Sequence, residues 1–193
     1  MSRPSVQLPA QPASGARLRG IPLRWPLTLV AAAAIVALSA QVAIPVPFSP
    51  VPMTLQGLAV ILVGGLFGAA IGAGALVLYL VAGAFGAPVF SAGHAGLPWL
   101  FGPTGGYLLA FPVAAAAVGR LAARGRFAQS LLAAFVGMAI IHLGGWAQLT
   151  LLSGGASRAV ALGVTPFIVQ DLLKVVLAAV VLWRAHHVFR LRS

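Results

Sequence analysis

TPFIVQDLLKVVLAAVVLW, residues 165–183, carries only two charges, Asp171 and Lys174, in an otherwise apolar run. About 20 consecutive apolar residues are what an α-helix needs to cross the hydrocarbon core of a bilayer, so the stretch reads as a transmembrane helix. An ionisable side chain inside such a span is expensive and marks a functional site by default. The spacing of three places the acid and the base on one helical face. Thr165 followed by Pro166 reads as an N-cap and a first helical residue, which puts Asp171 and Lys174 ~9 to 14 Å below the helix start.

The rest of the chain has the same character. Of its 193 residues 61% are hydrophobic and 7% charged. Soluble domains run near 45–50% apolar with about a quarter charged. The expected class is therefore an all-α integral membrane protein, because the runs are long and unbroken rather than alternating as barrel strands would be. Further apolar segments at 25–44, 54–67, 69–84, 104–122 and 128–152 bring the count to six candidate transmembrane helices in one compact bundle. Segments two and three meet around Gly64, Gly65 and Gly68 and fit either one broken helix or a tight pair. The spacing of Gly64, Gly68 and Gly72 by four lets backbones approach closely and reads as plain helix packing. Residues 1–24 form an aperiodic leader with Ser, Pro, Gln and Arg, 25–185 the membrane domain, and 186–193 a basic tail.

Lys and Arg total 12 against a single acidic residue, Asp171. With six spans, both termini and the loop between spans four and five share one side, which holds Arg24, Arg120, Arg124, Arg126, Arg184 and the terminal arginines. The other side holds only Arg158. That asymmetry predicts cytoplasmic termini, and it assigns the cations to membrane orientation rather than to nucleic acid. One carboxylate excludes paired-carboxylate glycosidases, ATPases with an acidic magnesium ligand and carboxylate metal cages. The chain has no Cys, so thiolate nucleophiles and thiolate metal sites are absent too. No metal site and no enzyme activity are expected.

Asp171 and Lys174 admit two readings. They neutralise each other structurally, or an acceptor-only carboxylate beside a donor-only ammonium grips a ligand that offers N–H, C=O or a carboxylate. The segment 83–106 contains no Lys, Arg, Asp or Glu but is rich in Gly, Pro and aromatics. It reads as an ordered cap, with Phe90 and Thr104 as candidate contacts. The Pro-rich, uncharged loop 45–54 reads as a lid or as a rigid connector. His142 and Trp146, four apart, share a helix face; a satisfied core histidine is the favoured reading and a pocket residue the other. Gln56, Tyr79, Tyr107 and Gln148 are further polar groups in or near spans.

Three stretches, Pro52-Met53-Thr54-Leu55-Gln56, residues 101–111 (FGPTGGYLLAF) and residues 161–174 (ALGVTPFIVQDLLK), together resemble the BioY family, the biotin-specific substrate-binding (S) components of energy-coupling-factor transporters. The resemblance spans nearly all of 25–183. It implies a six-helix S-component fold in a bacterial inner membrane and high-affinity binding of biotin from outside. It also implies a membrane coupling protein and a pair of ATPase subunits as partners. Biotin is then cargo rather than cofactor. Asp171 and Lys174 match the family's ligand-contacting pair, and Ala33 and Ala37 match its Ala-x-x-x-Ala face for docking the coupling protein. The chain departs from the family at Val169-Gln170, where relatives carry Pro-Gly, after Phe90, where relatives are richer in Gly, and at His142, where relatives carry an aromatic. The fused rings of biotin suit an apolar pocket, and its ureido group and carboxylate suit an acid and a base. Lys174 has two possible partners, the ureido oxygen and the valerate carboxylate. A carrier that works without an ATPase module is the alternative.

Overall fold

The computed structural model describes residues 24–124 and 126–190. Most of the expected leader, and the last three residues of the expected tail, lie outside the described residues. Eight α-helices occur among them: α1 Arg24–Gln41, α2 Gln56–Phe67, α3 Ala69–Ala84, α4 Leu97–Phe101, α5 Gly105–Leu121, α6 Phe127–Ser153, α7 Ala156–Gly163 and α8 Ile168–Arg190. Two short strands, β1 Ala43–Ile44 and β2 Met53–Thr54, pair antiparallel between α1 and α2. Six of the helices correspond to the six apolar segments, while α4 and α7 are short helices within segments read as loops. The helix α8 continues past Trp183 to Arg190, so the tail begins as helix.

Three segments are long and apolar enough to cross a membrane, Arg24–Gln41, Phe127–Ser153 and Ala156–Val188; α2, α3 and α5 are shorter. The shorter helices are extended at one end by the β1–β2 hairpin and by the segment 85–104, irregular backbone that is tolerable at membrane depth where protein covers it.

The helices run alternately up and down. Gly119 near the end of α5 meets Ala69 at the start of α3, Gly106 meets Gly144 on α6, and Phe127 at the start of α6 meets Trp183 late in α8, their rings 6.0 Å apart. The ambiguity between a broken helix and a tight pair resolves as the pair. Gly68 alone joins α2 to α3 at φ 83°, a conformation open to glycine, and the chain folds back so sharply that a Cβ on Gly72 would sit 2.9 Å from Gly64 Cα. A Cβ on Gly64 would itself stand 2.7 Å from Ala115 Cα on α5.

The core lies between α1, α2, α3 and α5, with a second cluster between α5, α6 and α8. The outward faces are apolar as well: Leu38, Val113, Leu132, Leu143 and Leu173 are all at least half exposed. A bundle apolar on both faces is what lipid as solvent requires.

Of the two alanines expected to dock a partner, Ala33 is buried in the first core cluster and Ala37 is partly buried against it. Small residues on α1 let it approach α3 closely.

Candidate functional site

All the loops at one end of the bundle converge over a cavity between α2, α5, α6 and α8, with about 620 Å³ free of atoms counting its mouth. Gln56, Thr104, Tyr107, His142, Asp171 and Lys174 line it. These are six of the eight predicted ligand contacts, brought together from four separate helices and their caps.

Asp171 stands in the first turn of α8. The helix begins later than the sequence suggested. Thr165–Phe167 forms a 3₁₀ turn, and the Thr165 hydroxyl donates back to the Val160 carbonyl instead of capping α8. Thr165 is therefore not the N-cap: it closes α7, and the backbone turn at Val164 (φ −120°, ψ −58°) separates the two helices. Asp171 and Lys174 consequently lie within about two turns of the start of α8, against the cavity rather than at mid-helix.

The Lys174 ammonium donates to Asp171 Oδ1 at 2.7 Å, and His142 Nε2 lies 2.9 Å from Oδ2. Among the described residues these are the only ion-pair contacts, and all three side chains are largely shielded, with 11–18% of each exposed. Plain self-neutralisation covers only part of this arrangement. Each carboxylate oxygen keeps a free lone pair and the ammonium keeps two free protons, so the pair retains capacity for a ligand.

Around this polar floor the walls are apolar: Leu108 and Phe111 from α5, Met138 and Ile141 from α6, and Phe167 from the 3₁₀ turn. Tyr107 is held by its hydroxyl, which donates to the Gly163 carbonyl at 2.6 Å and ties α5 to the end of α7. Its ring lies edge-on to His142 with centroids 6.2 Å apart. Gln56 is fixed from both sides: Thr54 Oγ1 donates to its Oε1 at 3.2 Å, and its Nε2 donates to the Tyr79 hydroxyl at 2.7 Å. Tyr79 in turn donates to the Val89 carbonyl at 3.0 Å. This chain of bonds couples the cavity wall to the segment 85–104.

The Pro-rich loop covers the cavity. Val46 and Val51 are buried, Val51 and Pro52 face the cavity, and the Ser49 hydroxyl donates to the Leu162 carbonyl at 2.6 Å, bridging the loop to α7. The loop is thus placed as a cap and not as a remote connector.

Two of the predicted contacts are not brought to the cavity. Phe90 is 1% exposed and packs edge-on to Tyr79 over Gly83, where it fills core space. Trp146 points toward α7, its indole N–H donating to the Ala156 carbonyl at 3.3 Å. Sharing a helix face with His142 does not carry Trp146 to the cavity, because one turn moves it past the cavity's edge. Gln148 likewise serves the fold, donating to the Leu100 and Gly102 carbonyls. Sequence reasoning missed Ser91 and Gln170, which also line the cavity. Gln170, a polar residue next to an intramembrane acid, carried a signal; Ser91, one hydroxyl in an uncharged loop, carried little.

Fold and site together define a class: a helical membrane protein with a capped, apolar binding cavity whose floor holds one acid and one base. The model of the BioY family matches residues 16–191, and the chain belongs to that family. It is 37% identical over 148 residues to a probable biotin transporter BioY of Pyrococcus horikoshii, covering 77% of this chain and 87% of that one. It is 37% identical over 142 residues to a biotin transporter BioY of Thermotoga maritima, covering 73% and 84%. The fold is similar to that of a crystal structure of the S-component for biotin from an ECF-type ABC transporter, with a TM-score of 0.76 and 22% identity over 85% of this chain and 91% of that one.

Proposed function

We propose that the chain binds biotin in the capped cavity and serves biotin uptake as the substrate-binding component of an energy-coupling-factor transporter in a bacterial cell membrane. The observation that carries this reading is the placement of Asp171 and Lys174, the chain's one acid and a base within a span, side by side on the floor of an apolar cavity. A ureido group offers N–H donors to the Asp171 carboxylate, and the Lys174 ammonium has protons for the ureido oxygen or the ligand carboxylate. The apolar walls suit fused rings. Membership in a family whose curated relatives bear the name biotin transporter supports the same substrate.

In this reading α1, α2, α3, α5, α6 and α8 are the membrane spans and the capped end faces outward. Arg24, Arg120, Arg126 and Arg184 flank the opposite ends of their helices, and the positive-inside rule makes that side, with both termini, cytoplasmic. Residues 1–24 are a cytoplasmic leader and the end of α8 a basic cytoplasmic extension. ATP hydrolysis belongs to partner subunits, a coupling protein with a pair of ATPases, since one acidic residue does not furnish an ATPase site. Biotin is carried and not retained as a cofactor.

The test is equilibrium binding of labelled biotin to the purified full chain, with unlabelled biotin, thiamine and riboflavin as competitors. Saturable binding displaced by biotin alone is expected; displacement by either other vitamin, or no saturable binding by folded protein, overturns the assignment. Vesicles containing the chain are expected to accumulate biotin only when the coupling protein, the ATPases and ATP are added.

A further inference from the structure

Gln56 lines the cavity from the start of α2, while Tyr79 on α3 is buried behind it and is not one of the cavity's walls, yet the two side chains are bonded. Burying an amide is costly unless its polar ends are paired, and an apolar side chain would fill the same wall more cheaply. Packing does not account for the Tyr79 hydroxyl either. Its ring lies edge-on to Phe90 at 5.6 Å and 6.5 Å from Phe111, contacts that phenylalanine would make equally well.

The direction of each bond follows from what its partners can do. The Val89 carbonyl only accepts, so the single proton of the Tyr79 phenol is spent on it at 3.0 Å. What Tyr79 then offers Gln56 is a lone pair, and the group facing it at 2.7 Å is the amide Nε2. At the other end the Thr54 hydroxyl accepts the Gln56 backbone N–H at 3.3 Å and donates to Oε1 at 3.2 Å. A flipped amide would turn Oε1 toward the Tyr79 lone pairs or draw the phenol proton away from Val89, and one bond is lost either way. The amide is thus held in one polarity, its oxygen beside Thr54, which also lines the cavity, and its nitrogen beside Tyr79.

We infer that Tyr79 is a positioning residue for ligand binding: it fixes the donor and acceptor ends of the Gln56 amide before the ligand arrives, and biotin binding draws on that fixed amide. This rests on the biotin-binding reading and extends it to a residue outside the cavity. Oε1 keeps one lone pair and Nε2 one N–H, at set places, for the ligand's polar groups. An amide free to turn would have to be ordered at the moment of binding, and that ordering costs affinity.

The test titrates biotin into the wild-type chain, Tyr79→Phe, Gln56→Met and the double variant, with thermal unfolding in detergent followed for each. Tyr79→Phe is expected to weaken biotin binding about fivefold, the worth of one net hydrogen bond. Gln56→Met is expected to weaken it at least as much. Adding Tyr79→Phe to Gln56→Met is expected to cost no further affinity, because the amide through which Tyr79 acts is gone. Wild-type affinity in Tyr79→Phe, whatever its unfolding temperature, overturns the inference. So does the same loss with and without the Gln56 amide, which would make Tyr79 a packing residue that only shapes the cavity. Should the double variant fail to fold, Tyr79→Phe alone still decides, since unchanged affinity there refutes the role. Failure of the wild type to bind biotin at all would instead overturn the functional assignment.

Discussion

Removing the Lys174 ammonium leaves the Asp171 carboxylate buried with the His142 ring as its only donor among the described residues. Truncating one partner of a buried, hydrogen-bonded charge pair costs about 2–5 kcal/mol, much of it from the charge left behind. Lys174→Ala is therefore expected to weaken biotin binding at least thirtyfold, read by equilibrium titration. Asp171→Asn keeps the shape, leaves the ammonium without its counter-charge and is expected to weaken binding comparably. The polar site residues were legible because each interrupts an apolar background: Gln56, Thr104, Tyr107, His142, Asp171 and Lys174 all line the cavity. Aromatics gave no such contrast. Phe90 in the core and Trp146 beside α7 have the same composition-level signature as a pocket aromatic, and only three-dimensional packing separates them. The alanines of α1 share that ambiguity, since a small-residue stripe does not say which neighbour it serves.

At the scale of elements, glycines set how closely the helices approach. A Cβ on Gly145 of α6 would overlap the Tyr107 ring, whose hydroxyl holds the Gly163 carbonyl. Gly145→Ala is expected to displace Tyr107, break that bond and destabilise the protein by about 1–3 kcal/mol, the usual cost of overpacking. The checks are a lowered unfolding temperature in detergent and a parallel loss of biotin affinity. Gly64→Ala, set against the Ala115 backbone, which yields less readily than a side chain, is expected to cost at least as much stability while leaving the cavity walls untouched. The six helices that match the apolar segments were legible to within a few residues at most ends, because a long apolar run has few other structures open to it. The α8 start was not, as Thr165 and Pro166 also suit the 3₁₀ turn they form. Nor was α7, eight residues carrying Ser, Arg and Gly that read as a loop and are helical through packing against α6.

For the molecule as a whole, the proposed orientation places the capped end outside the cell. The chain contains no cysteine, so single introduced cysteines report without background. In intact cells Phe48→Cys, on the exposed part of the Pro-rich cap, is expected to react with a membrane-impermeant thiol reagent. Arg126→Cys, exposed before α6, is expected to react only after the membrane is opened. The opposite pattern would invert the topology and put the cavity on the cytoplasmic side. In the proposed reading the capped cavity takes its ligand from one side of the membrane, and partner subunits supply the energy to release it on the other.

The central claim, that Asp171 and Lys174 on the cavity floor bind biotin, is tested most directly by calorimetric titration of the purified full chain with biotin, alongside Asp171→Asn and Lys174→Ala. One saturable site in the wild type, lost or weakened at least thirtyfold in both folded variants, is the expected result. Equal biotin affinity in all three proteins would contradict the account by placing the ligand elsewhere.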